Sequence, residues 1–442
     1  MRRLVSAFLY IMLLPAAAPA QQVTEEARVL RFDADHRSRM VYWDEGLFPH
    51  DGWEGLFSRH RTRAGVTWTP TAELQFRAVL ANEFFSWYRA RVLPDFTLDE
   101  IFFDNLYVKW SPDRLPLAVT AGRQNLRFGD GFIVMDGGPL DGSRSIYFNA
   151  LRVDVQPADG HDVTVFAMHQ PVRDNLLPRI NDAERALQEV PIDAAGVHYD
   201  CGEFPVDVQA YFLASRSEDD IPEPMGGGTV TDMRYTPGMR LAGSIAPGLN
   251  MTAEGAFQWG KWDASYPEGI PTFRDIRSWA WHASLRWMPL FAAKERLAVE
   301  AGYYQYSGGL TGGEETVSRH WDPLFGRWPI WSESFIYTLT GLASGIAKWS
   351  NVQAPFLRVS LQPSGGVALR GMLQHIRNAK PNGGLNLDPD IGTLGIAQVR
   401  LFPGEAVSGH LLLERMWYTG DGPVIRAAGY WWARAEVMYR WK

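Results

Sequence analysis

Short turn signals punctuate the chain at regular intervals, and the residues flanking each turn alternate between apolar and polar with period two. The signals stand at Trp68-Thr69-Pro70, Ser111-Pro112-Asp113, Gln156-Pro157-Ala158, Ala246-Pro247-Gly248, Met288-Pro289-Leu290, Gln362-Pro363-Ser364 and Phe402-Pro403-Gly404, with Gly202 to Pro205 as a variant. Proline suits these places because its φ is fixed and it brings no N–H that a ladder would need. Most signals lie roughly 40–48 residues apart, room for two ~10-residue strands, one short connection and one long one. The gap from Pro289 to Pro363 is the exception and calls for a longer loop.

Period-two alternation marks a strand with one apolar and one wet face. Leu74, Phe76, Ala78 and Leu80 alternate with Glu73, Gln75 and Arg77. Val206, Val208, Ala210 and Phe212 alternate with Asp207, Gln209 and Tyr211; Leu357, Val359 and Leu361 alternate with Arg358 and Ser360. The last strand is the clearest: Ala433, Ala435, Val437, Tyr439 and Trp441 on one face, Arg434, Glu436, Met438 and Arg440 on the other. Its terminal aromatics suit recognition by barrel-assembly machinery, although Lys442 follows them.

Such strands build either a soluble β-sandwich or propeller, or a closed barrel in a membrane. Three features favour the barrel: the short-turn, long-loop asymmetry, the aromatic last strand, and the N-terminus. Arg2 and Arg3 precede the apolar run Leu4 to Leu14, and Ala18-Pro19-Ala20 has the form of a cleavage site. Residues 1–20 are therefore expected to be a cleaved signal peptide, and 21–442 an outer-membrane β-barrel. The mean hydropathy of −0.20 fits, since lipid-facing and water-facing residues average to a mild value. So do the 18 Trp, a residue that gathers at membrane interfaces.

The fold class predicted is all-β: a transmembrane antiparallel barrel of about 18 strands, two per turn plus one at each end. Short turns would be periplasmic. Nine long loops would face outward: 35–57, 86–100, 125–144, 171–191, 215–233, 261–277, 307–344, 377–391 and 418–427. The first strand is placed near 28–34, and residues 181–187 read as a short capped helix.

One stretch goes beyond pattern. Gly122-Arg123-Gln124, followed by Gly129-Asp130-Gly131 and continuing through Asp136 to Asp141 and Ser145 to Val153, resembles the Gly-Arg-Gln…Gly-Asp segment of the alginate-export family of outer-membrane porins. Asp322-Pro323-Leu324-Phe325-Gly326-Arg327-Trp328-Pro329 is similar to a second family segment, and Arg61-Thr62-Arg63-Ala64-Gly65 to a third. The resemblance implies an eighteen-stranded barrel in the outer membrane of a Gram-negative bacterium, and passage of an anionic polysaccharide through an arginine-rich lumen. An alginate exporter of the family is expected to carry a longer periplasmic turn able to plug the pore. All eight turns here read as short.

Alternation places Arg59, Arg61, Arg63, Arg77, Lys109, Arg152, Arg240, Arg286, Arg358, Arg370, Arg400, Arg434 and Arg440 on water-facing positions, and Arg123 joins them as a candidate in the family-like segment. Water-facing acids are fewer: Glu73, Asp154, Asp207, Glu254, Glu300 and Glu436, although the whole chain carries −7. Rings of arginine concentrate anions and replace lost hydration with charge-assisted hydrogen bonds; the same residues can equally serve as paired networks that stiffen the wall. The Gly/Asp loop bearing Asp130, Asp136 and Asp141 reads as a constriction folded into the barrel; it matches neither a P-loop nor an EF-hand. Trp321, Phe325, Trp328 and Trp331 form an aromatic loop that either stacks on sugar rings or packs on itself.

Catalysis is not expected. The histidines are scattered singly, no Gly-x-Ser-x-Gly occurs, and no nucleophile–base pair can be named. No metal or cofactor is anticipated, and no basic block points to nucleic acid. The expected partners are outer-membrane lipid, an anionic polysaccharide or oligosaccharide, and the assembly machinery, with the chain as a monomer. The function expected is a channel for that polymer; the alternatives are a general anion-preferring porin and an adhesive barrel acting through its outer loops.

Overall fold

The computed structural model describes residues 29–44, 54–89, 98, 100–135, 147–181, 190–220, 228–265, 271–289, 296–308, 317–326, 332, 350–380, 390–402, 404–419 and 429–441. The expected signal peptide and most of the expected helix at 181–187 lie outside them. Among the described residues there is no helix. The strands run β1 Val29–Asp44, β2 Glu54–Thr71, β3 Leu74–Arg89, β4 Phe102–Trp110, β5 Leu117–Gln124, β6 Phe148–Ala158, β7 His161–Gln170, β8 Ile192–Cys201, β9 Val206–Asp220 and β10 Thr229–Ala246. They continue as β11 Leu249–Ser265, β12 Pro271–Trp287, β13 Ala298–Tyr306, β14 Val317–Ser318, β15 Val352–Ser364, β16 Val367–Asn378, β17 Asp390–Leu401, β18 Val407–Tyr418 and β19 Gly429–Trp441.

Each strand pairs antiparallel with the next, β13 with β15, and β19 returns to β1 from Ala34↔Trp441 to Asp44↔Trp431. Eighteen strands thus close on themselves, and no edge is left for another chain to extend. The two-residue β14 stands apart; it belongs to the long connection after β13 and pairs parallel with β12.

Every predicted turn falls within a few residues of an observed one. Asp159-Gly160 and Gly365-Gly366 carry two of the bends, slightly beyond the prolines that mark them. The long loops differ more. β1 and β2 extend into 35–57 and leave only 45–53 between them; β9 and β10 consume most of 215–233, and β11 and β12 most of 261–277. These strands have 15 to 18 residues, well beyond the ~10 that cross a bilayer. Past the bilayer both faces meet water, so the alternation that betrays a strand disappears while the backbone ladder continues.

The outer wall is apolar, with Leu151, Val165, Val197, Met239, Leu285, Leu357 and Leu411 exposed toward lipid. Aromatics crowd its ends. At the short-turn end Trp68 stacks on Phe76 at 5.2 Å and Tyr439 meets Trp441 at 4.4 Å, with Trp110 and Trp287 also exposed; toward the other end stand Trp259, Trp417 and Trp431. Such belts satisfy an apolar ring and a polar N–H together. The buried apolar cluster lies inside the barrel, where inward side chains such as Trp43, Phe57, Phe148, Tyr306, Phe356 and Met416 surround two loops, 125–135 and 319–326.

Candidate functional site in the barrel lumen

The inner faces of β1, β2 and β19 carry a dense arginine wall. Arg37 stands opposite Arg61 and Arg39 opposite Arg59, an arrangement that is repulsive unless acids intervene. They do intervene. Arg59 ion-pairs with Glu83, whose carboxylate is buried, and Arg39 with Glu436; Arg37 lies 4.0 Å from the same Glu436. Arg63 bridges Asp35 at 2.7 Å and Asp104 at 3.3 Å, while Arg61 lies 3.8 Å from Asp35. Arg77 donates to Asp33 Oδ2 at 2.8 Å. Its guanidinium passes over Gly65, where any Cβ would sit 2.7 Å from it, so the glycine in the family-like segment makes room for this pair. Arg434 donates from Nε to His410 Nε2 at 2.9 Å.

Farther round the wall the pairing changes. Arg358 donates to Glu300 at 3.0 Å and Arg152 to Asp154 at 2.7 Å. Arg286 faces Glu300 across the ladder, but that carboxylate is already engaged. Among the described residues, Arg286 on β12, Arg370 on β16, Arg400 on β17 and Lys109 on β4 form no salt bridge. Arg286, Arg370 and Arg400 line one cavity of about 620 Å³ with Ser360 and Gln398. Arg286 and Arg370 also line a second, of about 470 Å³, with Asp130, Glu300 and Arg358.

Two loops enter the lumen. In the first, Gly129 and Gly131 have φ of 52° and 85°, and between them Asp130 is turned toward β10, where it accepts from Arg240 Nε at 3.2 Å and Nη2 at 3.1 Å. In the second, Asp322 docks on β11: its N–H donates to Gln258 Oε1 at 3.1 Å and its C=O accepts from Gln258 Nε2 at 2.7 Å. The loops clasp each other. Phe325 N–H donates to Ile133 C=O at 3.0 Å, and a Cβ at Gly326 would lie 2.2 Å from Phe132 O. The two family-like segments, far apart in sequence, therefore meet inside the barrel, and Gly326 permits the contact.

The described aromatics of this loop pack against the other inward loop and the barrel wall. Trp321 stacks on Phe132 with centroids 5.8 Å apart, Phe325 meets Phe148 edge-on at 5.6 Å, and both Trp321 and Phe325 are fully buried, leaving no open face for a sugar. Trp328, Trp331, Asp136 and Asp141 lie outside the described residues. Arg123 departs from expectation. It pairs with Leu106 and Asn149, the outward-facing register, and ion-pairs with Asp174 at 2.7 Å beneath the Tyr147 ring, only 1% exposed. It therefore fastens the 171–181 segment to the rim and does not line the lumen. The sequence pattern does not single out Arg37 and Arg39, because it places the first strand near 28–34, nor Arg234, which pairs with Asp232 at 2.7 Å and approaches Asp322 at 3.9 Å. Extending the alternation Arg37, Arg39, Val41, Trp43 would have found the first two.

Solved structures match the fold closely in extent. OccK11 (OpdR) of Pseudomonas aeruginosa aligns with a TM-score of 0.55 over 94% of this chain and 97% of that one, at 12% identity. OccK8 (OprE) of the same organism gives 0.56 over 93% and 98%, at 9% identity, and a BenF-like porin from Pseudomonas fluorescens Pf-5 gives 0.57 over 93% and 98%, also at 9%. At such identity the likeness is one of fold. No curated protein matches by sequence. The model of the alginate export family matches residues 94–399, a span that holds both inward loops and twelve of the eighteen barrel strands from β4 to β16. The chain belongs to the alginate export family: it is an outer-membrane β-barrel channel, and not an enzyme.

Proposed function

We propose that the channel passes an anionic polysaccharide or its oligomers, and that Arg286, Arg370 and Arg400 are the residues that attract the carboxylates. The observation that carries this reading is the arc of guanidinium groups that line two cavities of the lumen and that no carboxylate among the described residues claims. An anion entering a narrow lumen loses part of its hydration. Unengaged arginine donors supply the missing hydrogen bonds, and several in succession avoid trapping it at one place. The paired Arg61, Arg63, Arg77, Arg152, Arg240 and Arg358 contribute positive potential at closer cost to themselves, since each already shares a carboxylate. Lys109 adds a further unpaired cation on β4.

A general anion-preferring porin is the second reading. It is favoured by the connections at the short-turn end, which are two residues at 72–73, 159–160, 247–248 and 365–366 and are longest at 288–297. In either case the chain would enter the membrane as a monomer, with β19 recognised by the assembly machinery and residues 1–20 removed. Single-channel recording in a planar bilayer tests the main reading. A salt gradient should give an anion-selective reversal potential, and uronic-acid oligomers should block the current from one side. Anion selectivity without block would leave the general porin; cation selectivity would overturn both.

A further inference from the structure

The point where the first inward loop touches the wall brings together three groups that no sequence spacing links: Asp130 at the loop tip, Glu254 on β11 and His282 on β12. One ligand atom from each lies within 4.8 Å of the others. Glu254 Oε1 is engaged by the Tyr211 hydroxyl, which donates at 3.1 Å. Its other oxygen, Oε2, is buried and accepts no hydrogen bond; His282 Nε2, 3.6 Å away, is buried and makes none either. Both side chains are at least nine-tenths buried. Two such atoms aimed at one another are costly unless something sits between them.

The charges point the same way. Arg240 is the cation shared by both carboxylates, holding Asp130 at 3.1 Å and standing 3.9 Å from Glu254 Oε2. Two carboxylates thus share one close cation, in a site walled by Phe132 and Tyr304, whose rings lie 5.3 and 5.2 Å from the imidazole. A neutral imidazole nitrogen and two carboxylate oxygens are the donor set of zinc and its neighbours. With metal–nitrogen and metal–oxygen bonds of about 2.1 Å, tetrahedral ligands stand about 3.4 Å apart, close to the observed 3.6 Å. The site opens on the 470 Å³ cavity, which supplies solvent for a fourth position.

We infer that Asp130, Glu254 and His282 form a divalent transition-metal site that clips the inward loop to the barrel wall. Asp130 binds through the oxygen that Arg240 does not hold, or displaces that contact. The metal ties the constriction to β11 and β12, so its binding alters the channel from inside the lumen. This holds whether or not the transported solute is an anionic polymer.

Cobalt is the probe. The full chain, refolded in detergent and checked by heat-modifiable migration, should show visible cobalt absorption that zinc displaces. His282→Ala should abolish the bands, and Glu254→Gln should weaken binding on the order of tenfold or more. Arg240→Gln, which leaves its three ligands intact and removes a competing cation, should tighten it; this variant keeps the test open if His282→Ala fails to fold. Zinc should change the single-channel current of the parent and leave that of Glu254→Gln unaltered. Absence of bands in the parent, their survival in His282→Ala, or no tightening in Arg240→Gln would overturn the assignment. The absorption reading is independent of ion selectivity, so failure here and failure of the transport reading are distinguishable.

Discussion

Two arcs of one lumen carry the same residue type in different states. On β1, β2 and β19 the arginines are engaged: Arg59 with Glu83, Arg39 with Glu436, Arg63 with two aspartates. On β12, β16 and β17, Arg286, Arg370 and Arg400 line a cavity and form no salt bridge among the described residues. The first arc is a wall of opposite charges holding adjacent strands in register, and much of it is buried. The second keeps its donors available. An arginine-rich lining is therefore not one device. Paired and unpaired arginines occupy different arcs, parted on one flank by β18 alone, and substitutions should separate their roles.

The largest effect is expected where an arginine is buried and paired. Arg123→Ala breaks a buried ion pair, a loss on the order of 3–5 kcal/mol. Urea unfolding of the barrel in lipid vesicles should show it, and removing Asp174 as well should recover part of the loss. Because Arg123 stands outside the lumen, the reversal potential should not move; a shift would place it back among the lining residues.

The lipid-facing register comes next. Val359→Arg should impair membrane assembly by about 2–4 kcal/mol, and Ser360→Arg, one residue on but facing water, by far less. Val208→Arg against Gln209→Arg repeats the comparison on β9. Equal losses within either pair would show that inside and outside have been exchanged, and with them every lumen position.

The smallest energies carry the transport test. A unit charge about 8 Å from a passing anion contributes about half a kcal/mol in water, roughly a twofold change in relative permeability per arginine removed. Arg286→Gln, Arg370→Gln and Arg400→Gln together should move the reversal potential clearly toward zero while the barrel stays folded. Arg152→Gln with Arg358→Gln should move it less and soften the wall more, because Asp154 and Glu300 would each lose an ion pair. If the two sets shift selectivity equally, pairing does not govern which arginines act on the solute.

Most of the architecture was legible in the primary structure, for a physical reason. A strand between lipid and water must alternate, and a closed barrel must turn back at both ends, so Val208 against Gln209, or Leu357 against Arg358, states the inside and outside locally. Where that pressure ends, legibility ends. Beyond the bilayer β1, β9 and β10 look like loops. On β1 and β2 the middle of the outer face is polar, with His36 Nδ1 2.9 Å from Thr62 Oγ1 and Ser38 Oγ 3.0 Å from His60 Nδ1, so the contrast beside Arg37 and Arg39 is weak.

The sequence by itself thus determined the closed all-β form and its strand count, because each follows from a local rule repeated along the chain, and its family, through the particular segments around Gly122–Gly131 and Asp322–Pro329. Only the tertiary structure decided which arginine meets which carboxylate, that Arg123 belongs to the rim, that the Gly129–Gly131 and Asp322–Gly326 segments clasp inside the lumen, and that Asp130, Glu254 and His282 converge. Those are contacts between segments far apart in the chain, where closure of the barrel, and no neighbour in sequence, sets the distance.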